Sequence, residues 1–425
     1  MPPDEISSRT PAEDRPPGRG MILLLAAILI AGTLLRLFAP PAYATGGHDE
    51  FLYMRFVQEL NAATIFHYPA IVQLYNTNRE ALEEAKLPPT RFLYIFCGSC
   101  WDQLFHAAHG DNSPQSQVDA LKSLHAISCL FSILTMPLAA LVAFRLGGVR
   151  FAAGVLALVA FSPMQIYVSR HALIDGFFAF WALLTLWLLW ENLQRPRRYG
   201  WLAAYTGSLV LLVLTKENAF FVFVAIVGIL IVNHWAKFGT VDLALVLCTF
   251  GGALLGAACI ALLSGGLDYA FQTYMLLVHN ASQLQYAIET GDGPWYRYLC
   301  ELLIISPFVL LLAVGGVFRL GRDNKPQIFL LCFVAFSYLV MCNVKYGMNL
   351  RYTNMWDMPL RYLAFWQLGL LCEYFGTRKT CALAACMALL CLFDLRQYDL
   401  FFVQKPAIYE PVPKALMSKV KILVP

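Results

Sequence analysis

The sequence has few charged side chains for its length. Of its 425 residues, 14% are Asp, Glu, Lys or Arg and 59% are hydrophobic, whereas an average soluble domain has about 25% charged residues. A soluble fold cannot bury so much apolar surface, so the composition excludes an ordinary cytosolic enzyme, a disordered chain and a small disulfide-bonded secreted module. The net charge of +4 is also too small to indicate a nucleic-acid partner. We therefore expect most of the surface to face lipid.

The motifs that would indicate a nucleotide or a zinc centre are missing as well. The sequence has no GxGxxG or GxxxxGK[ST] fingerprint, which argues against a soluble nucleotide as a substrate. Most of the 12 cysteines lie inside apolar runs, where Cys behaves as a small hydrophobe. Cys97 and Cys100 form a CxxC pair, but no second pair follows at zinc-finger spacing. A disulfide or redox pair at these two positions and simple packing both remain open.

Long apolar runs dominate what is present. A membrane-spanning helix needs about 20 mostly apolar residues, and about eleven runs approach that length. They predict an all-α polytopic membrane protein whose transmembrane domain covers residues 21–396. The first run continues to Pro40 without a small-x-small cleavage site, so we interpret it as an anchor rather than a signal peptide. The runs are 21–39, 119–144, 151–168, 172–190, 200–215, 218–235, 241–263, 300–318, 327–343, 358–375 and 380–396.

The distribution of Lys and Arg among the short loops predicts the orientation. Alternate loops are basic and all fall on one side, which places the N-terminus in the cytoplasm and the C-terminus outside. Residues 1–20 then form a disordered cytoplasmic tail and residues 397–425 a short external tail. Two long external loops cover about 40–117 and 264–298. The basic residues are Arg145, Arg150, Arg195, Arg197, Arg198, Lys237, Arg319, Arg322, Lys325, Arg378 and Lys379.

Both external loops contain interpretable segments. In the first, residues 50–60 and 91–108 are amphipathic and aromatic, which predicts helices lying in the membrane interface. In the second, Gly291 and Gly293 would permit a hinge movement. The polar and aromatic residues of that loop are consistent with a lid over a site, and an ordered but inert loop is an equal alternative; they are His279, Glu289, Asp292 and Trp295.

Placing an ionisable side chain at membrane depth costs free energy, so such residues are candidates for a functional role. The first group is His48-Asp49-Glu50, just beyond the first span. One of its two carboxylates is suited to act as a general base, or to bind a metal together with His48. The alternative is that Asp49 only caps the helix that follows.

The second group follows the third run, where Ser169, Arg170 and His171 precede Asp175 with almost no loop. At helical spacing, Asp175 lies one turn below His171 on the same face and projects into the bundle. The alternative is a local His–Asp or Arg–Asp pair that closes a helical hairpin.

Two further groups also place cations on the predicted external side. Lys216 and Glu217 occupy a short connection between two spans. The alternative interpretation is that they form a Lys–Glu ion pair that extends to the lipid headgroups. Lys345, Arg351 and Tyr352 precede a span in which Pro359 suits the first turn. The alternative there is ordinary interfacial anchoring. Arg361 lies at or inside the start of that span.

Taken together, these four groups have a common chemical logic. Cations gathered at one face of an aromatic-rich bundle are able to hold an anion at headgroup height, Arg through its planar fork and Lys as a point charge. A lipid-linked phosphate is the obvious anion at that depth. A carboxylate at the same level would activate a nucleophile against the carbon bonded to the phosphate. The pattern therefore predicts sugar transfer from a polyprenyl-phosphate carrier.

The order of these motifs resembles the GT-C superfamily, and more closely its bacterial protein-mannosyltransferase and aminoarabinose-transferase-like branch, family 39 and its relatives. The resemblance covers residues 20–375. It rests on Asp49-Glu50 in the first external loop and amphipathic helices after it, on Ser-Arg-His-x-x-x-Asp at 169–175, on Leu-Thr-Lys ending at Lys216, and on Asn-Leu-Arg-Tyr ending at Tyr352, with a proline before a late span.

The resemblance implies an inverting glycosyltransferase of the bacterial inner membrane with a periplasmic active site. It implies that Asp49 is the catalytic base or lies near a metal, with Glu50 as its partner. Donor-phosphate contacts would be Arg170, Lys216 and Arg351; supporting residues would be His48, His171, Asp175 and Tyr352. Several branches of the superfamily have no obligatory metal, so a divalent metal stays open. The acceptor, a protein, lipid or glycan, is unspecified.

Glu217 departs from the family pattern, because a Gly often follows the lysine there. Two other classes of function also remain open. A transporter or flippase of a lipid-linked saccharide would require ionisable groups near the bilayer midplane and paired broken helices, whereas here the charges gather at one face. A non-catalytic membrane subunit that binds the lipid without reacting is the second alternative.

Overall fold

The computed structural model describes residues 18–39, 47–77, 87–106, 113–283, 285–404, 412 and 414–416, without the side chains of His48, Asn280, Gln285 and Tyr286. Throughout these described ranges the chain is helical or irregular and contains no strand. Nearly all of the predicted N-terminal tail, and most of residues 405–425, lie outside the described residues.

Eighteen α-helices make up the described part of the chain. They are α1 Arg19–Phe38, α2 His48–Ala62, α3 Tyr68–Thr77, α4 Phe92–Phe105, α5 Pro114–Gly147, α6 Val149–Ala160, α7 Pro163–Ser169, α8 Ile174–Gln194, α9 Tyr199–Val213, α10 Ala219–Ala236, α11 Leu243–Leu263, α12 Leu267–Gln283, α13 Gln285–Thr290, α14 Arg297–Ile305, α15 Pro307–Val317, α16 Lys325–Met341, α17 Asp357–Cys372 and α18 Lys379–Tyr398. Short 3₁₀ segments at Ile65–His67, Leu350–Trp356 and Glu373–Arg378, and a π turn at Asp399–Gln404, complete the set.

Each of the eleven predicted runs coincides with one helix or with a broken pair. Within the described residues, six helical segments are long and apolar enough to cross a membrane, or seven if α6 and α7, which meet at 57°, form one broken span. This confirms the all-α polytopic class. The number eleven stays a prediction, because several of the helices, such as α9 and α15, are shorter than a full crossing.

The break between α6 and α7 is stabilised by a buried arginine of α1. Ser162 caps α7 and Pro163 occupies its first turn, so the helical hydrogen bonding of α6 stops here and the carbonyl of Val159 has only a 3.3 Å contact from the N–H of Ser162 within the chain segment. The fully buried Arg36 supplies donors, at 3.0 Å to the oxygen of Ala160 and 3.1 Å to that of Val159. A side chain at Gly32 would collide with α6, since its Cβ would lie 2.8 Å from that of Ala160. Close approach of α1 and α6 therefore positions this arginine.

The two helices predicted in the first long loop are present, as α2 and α4. They pack against α5 in one apolar core that includes Val57, Tyr94 and Leu124. Along α2 the periodicity predicts one apolar face; Met54, Phe56 and Val57 are buried, but Phe51 is half exposed. The loop thus forms a cap on the bundle. Its expected position in the plane of the membrane interface stays a prediction.

Arg361 lies inside α17, as the sequence suggests, and is 1% exposed. Its guanidinium donates to Asp357 at 2.8 Å and to Asp394 of α18 at 2.7 Å. Asp357 also accepts from Ser162 at 2.9 Å. This ion group therefore ties α17 and α18 to the helix break at residue 162.

Cys97 and Cys100 are both free thiols in α4. Burial raises the pKa of the Cys97 thiol to about 11, so at neutral pH it stays protonated and is a poor nucleophile. The structure therefore favours simple packing over a disulfide or a redox pair.

Candidate functional site

Four of the predicted site residues meet in one ion cluster, composed of Asp49, Asp175, Lys216 and Arg351. Arg351 Nη2 donates to Asp49 Oδ2 at 2.7 Å, and its Nε lies 3.7 Å from Asp175 Oδ2. Lys216 Nζ donates to Asp175 Oδ1 at 2.7 Å. The contact between Arg351 and Asp49 thus joins two residues that are 302 positions apart in the sequence, as the proposed common site requires.

Helix ends position all four residues of the ion cluster. Asp49 stands in the first turn of α2 and Asp175 in the first turn of α8, while Lys216 follows α9 and Arg351 lies in the 3₁₀ segment Leu350–Trp356. Carboxylates are favoured in the first turn of a helix, where backbone N–H groups are free. The cluster is therefore assembled at one end of the bundle, where the sequence places its charges.

The side chains of the ion cluster differ in their exposure to solvent, from fully buried to partly accessible. The side chains of Lys216 and Asp175 are 2% and 4% exposed, that of Arg351 is 17% exposed, and that of Asp49 is 30% exposed. Tyr352 covers Lys216, with the ammonium nitrogen 3.9 Å from the ring centre, a cation–π contact. Asp49 is thus the carboxylate of the cluster that solvent and substrate reach most easily.

The interpretation of Asp49 as a simple helix cap is wrong, because Gly47 is the N-cap residue and Asp49 lies inside the helix. Burial alone would raise the pKa of Asp49, but the neighbouring Arg351 outweighs burial and holds that pKa below its usual range. Asp49 is therefore a carboxylate at neutral pH, as a base or an electrostatic stabiliser must be.

Glu50 is buried beneath the site, with only 1% of its surface exposed. One carboxylate oxygen accepts from the backbone N–H of Ala172 at 2.7 Å and hydrogen-bonds with His171 Nδ1 at 3.2 Å, and His125 Nε2 lies 3.4 Å away. The other accepts from the N–H of Gly47 at 2.9 Å. Glu50 therefore holds the start of α2 against the 170–172 turn, and its predicted catalytic role as the partner of Asp49 stays a prediction.

The expectation that Asp175 lies one helical turn below His171 is wrong. Residues 170–173 form a turn, and α8 begins only at Ile174. As a result His171 contacts Glu50, whereas Asp175 contacts Lys216 and Arg351. The alternative of a local His–Asp or Arg–Asp pair is wrong for the same reason.

Arg170 is directed away from the ion cluster. Its Nη1 donates to the carbonyl oxygens of Arg36 and Leu37, at 3.1 and 2.7 Å. These carbonyls lie at the end of α1, where no intrahelical donor remains for them. The geometry favours a role for Arg170 in docking α1 over direct contact with a phosphate.

A cation that the sequence analysis missed stands beside the ion cluster. Arg91, just before α4, binds both carboxylate oxygens of Glu217, through Nε at 3.0 Å to Oε2 and through Nη2 to Oε1. Its Nη1 donates to the hydroxyl of Tyr53 at 2.5 Å. We call this group the Arg91 fork. The residue that could have revealed it is Glu217, an acid between two apolar runs that needs a partner.

No group of three or more His, Cys, Asp or Glu side chains suited to a metal occurs among the described residues. In the ion cluster each carboxylate already faces a cation. The predicted contribution of His48 lies outside the described side chains. A divalent metal therefore has no support from the described geometry.

The second long loop lies close to the segment that carries Arg351. The N–H of Met348 donates to the oxygen of Gly291 at 2.8 Å, and Tyr338 donates to the oxygen of Trp295 at 2.6 Å. Asp292 is held through its own carbonyl by Arg297 at 2.7 Å, and Glu289 pairs with Lys414 at 3.3 Å. His279 contacts Gln283 at the exposed surface of α12. A lid role for this loop stays a prediction.

Comparisons with known proteins support the resemblance. A family model described as dolichyl-phosphate-mannose-protein mannosyltransferase matches residues 110–275, less than half of the chain. No curated protein matches. ArnT from Cupriavidus metallidurans bound to undecaprenyl phosphate is similar in structure, with a TM-score of 0.54 and 14% identity over 96% of this chain and 78% of that one.

Archaeal structures show the same similarity. An oligosaccharyltransferase from Archaeoglobus fulgidus has a TM-score of 0.58 and 14% identity, covering 88% of this chain and 53% of that one. AglB from the same organism, in complex with an inhibitory peptide and a dolichol-phosphate, has the same TM-score and identity over 90% and 56%. The chain thus spans about half the length of these archaeal proteins.

The matches confirm the predicted resemblance to the GT-C superfamily: this chain is a multi-pass membrane protein with a fold similar to that of these glycosyltransferases. At this level of identity the similarity concerns the fold.

Proposed function

We propose that this chain transfers a sugar from a polyprenyl-phosphate carrier to an acceptor, with inversion at the anomeric carbon. The observation that carries the proposal is the contact of Asp49 with Arg351, whose Nε faces the Asp175–Lys216 pair. A base and anion-binding cations are thereby held within one helix-end site. The lipid phosphates bound by ArnT and AglB support a polyprenyl-phosphate donor.

In this mechanism the donor phosphate lies against Arg351 and Lys216, with Arg91 close by. Charge-assisted hydrogen bonds stabilise the phosphate as negative charge develops on the departing oxygen. Asp49, the most exposed acid of the cluster, accepts the proton of the acceptor hydroxyl or amine as its oxygen or nitrogen bonds to the anomeric carbon. The C–O bond to phosphate breaks on the opposite face, which inverts that carbon. The products are the glycosylated acceptor and free polyprenyl phosphate.

A flippase and a non-catalytic lipid-binding subunit remain the alternatives, and the fate of the sugar–phosphate bond separates them from an enzyme. We expect purified protein to convert a polyprenyl-phosphate sugar to polyprenyl phosphate in the presence of an extract of acceptors. Thin-layer chromatography and mass spectrometry of the lipid measure this conversion. Transport or binding without any bond cleavage would contradict the proposal.

Lys216→Ala is expected to weaken binding of undecaprenyl phosphate by roughly ten- to a hundredfold. A charge-assisted hydrogen bond contributes roughly 1.5–3 kcal/mol, and the ammonium group is its source here. Binding is measured by native mass spectrometry of the detergent-purified protein. The control is Lys122→Ala, which removes an exposed lysine paired with Asp119 and should leave affinity unchanged. Equal affinity in both variants would remove Lys216 from the phosphate site.

The proposal places the ion cluster on the periplasmic side of the inner membrane, an orientation that labelling tests. A cysteine at the exposed Ser282 should react with an impermeant maleimide in intact spheroplasts. The exposed native Cys381, at the predicted cytoplasmic end of α18, serves as the internal control and should react only after permeabilisation. The reverse pattern would overturn the orientation.

A further inference from the structure

We propose that Glu217 is a built-in competitor of the donor phosphate: its carboxylate occupies the Arg91 fork until the donor binds, and the phosphate displaces it. The inference rests on the proposed function, because it assigns a role to a residue beside that site. It begins from the charges of the site. Arg91, Lys216 and Arg351 face an equal number of carboxylates, namely Asp49, Asp175 and Glu217.

Charge balance requires a displacement. Suppose that an anionic phosphate enters this neutral site and no carboxylate leaves. The site would then carry excess negative charge at the edge of a low-dielectric bundle, where such charge is costly. Release of one carboxylate into water avoids that cost. The donor therefore binds best where a carboxylate is able to leave.

Exposure and role together identify the carboxylate that leaves. The side chain of Glu217 is 29% exposed, whereas its partner Arg91 is 4% exposed. The carboxylate therefore faces the open side of a cation that stays buried. Asp175 is 4% exposed and is held by both Lys216 and Arg351, so it is the least able to move. Asp49 is the proposed base and has to remain at the reacting centre.

The geometry of the contact matches that of a phosphate. Two guanidinium nitrogens of Arg91 approach the two oxygens of Glu217, an arrangement that a planar guanidinium also forms with two phosphate oxygens. The third guanidinium nitrogen, Nη1, donates a hydrogen bond to the hydroxyl of Tyr53. The Arg91 fork is thus pre-organised, with Glu217 keeping its charge compensated until the donor arrives.

The Arg91 fork and the ion cluster are linked by the chain and by charge. After burial and the larger effect of Arg351, the charge of Arg91 also contributes to the lowered pKa of Asp49. Lys216 precedes Glu217 directly in the chain. A phosphate that lies against Arg351 and Lys216 and also binds the Arg91 fork would therefore remain beside the ion cluster.

The test measures binding of undecaprenyl phosphate to full-length wild type, Glu217→Gln, Arg91→Gln and the double variant. We expect Glu217→Gln, which keeps the side-chain size, to bind the lipid about tenfold more tightly. In the Arg91→Gln background the same substitution should have no effect, because the fork for which Glu217 competes is gone. Glu59→Gln, which removes another partly exposed, arginine-paired glutamate, is the control and should match wild type.

Three outcomes are distinguishable. Unchanged or weaker binding by Glu217→Gln, in a protein whose melting curve matches wild type, overturns the inference, as does a gain that persists without Arg91. If Glu217→Gln does not fold, Glu217→Asp shortens the reach of the carboxylate to the fork and should also tighten binding; no gain there counts against the inference. If wild type binds undecaprenyl phosphate no better than uncharged undecaprenol, the proposed function itself fails.

Discussion

Asp49→Asn is expected to lower sugar transfer by about a thousandfold, within the range of about 10²–10⁴ that proton transfer by a positioned side chain contributes. The amide cannot take a proton from the acceptor. It is still able to accept the hydrogen bond that Arg351 donates to Oδ2, so the arrangement of the site should survive. The measurement is the rate of polyprenyl phosphate release from a lipid-linked sugar by purified protein.

Donor binding separates loss of chemistry from loss of the site. Because Lys216 and Arg351 remain in Asp49→Asn, undecaprenyl phosphate should bind at least as tightly as in wild type. Asp119→Asn is the matched control, since Asp119 lies at the exposed face of α5 and pairs only with neighbouring side chains; its transfer rate should equal that of wild type. Undiminished transfer by Asp49→Asn would remove Asp49 from the role of base.

The spans and the residues at their ends could be predicted from the sequence because both signals are local. A long apolar run indicates a segment buried in lipid, and a charged residue that interrupts apolar sequence indicates the end of a helix. Asp49, Asp175, Lys216 and Arg351 were found in this way, and the structure joins them into one cluster. Their meeting follows from topology, because helix ends on one side of a bundle share a small area.

The partners of these residues could not be predicted, because they depend on contacts between distant segments. Arg91 and Glu217 are 126 positions apart, and no local pattern links them. Arg170 was expected at a phosphate, but its Nη1 donates to carbonyl oxygens at the end of α1. The spacing between His171 and Asp175 implied one helical face, and this interpretation failed because the chain turns before α8 begins.

Glu50→Ala is expected to destabilise the protein by about 2–3 kcal/mol, because hydrogen bonds to a charged group contribute about 1.5–3 kcal/mol and a buried donor is left without its acceptor. The substitution leaves the N–H of Ala172 without its 2.7 Å acceptor and removes the acid that faces His125 and His171. Sugar transfer should fall with it, because Asp49 adjoins Glu50 at the start of α2. The measurement is the free energy of unfolding in detergent, alongside the transfer rate of the folded fraction.

The acid dependence of unfolding provides the decisive readout. Burial alone would raise the pKa of Glu50, but hydrogen bonds with His125 and His171 outweigh it and hold the pKa below the usual range. The stabilisation by this carboxylate is therefore complete at neutral pH, above its unfolded pKa of about 4, and is lost as the pH falls through the lower folded value. Glu50→Ala should lose that part of the acid dependence of unfolding. The control is Glu59→Ala, on the same helix, which removes a partly exposed ion pair. It should retain the acid dependence, and its free energy of unfolding should stay within about 1 kcal/mol of wild type. Equal stability of the two variants would show that the start of α2 is positioned without Glu50.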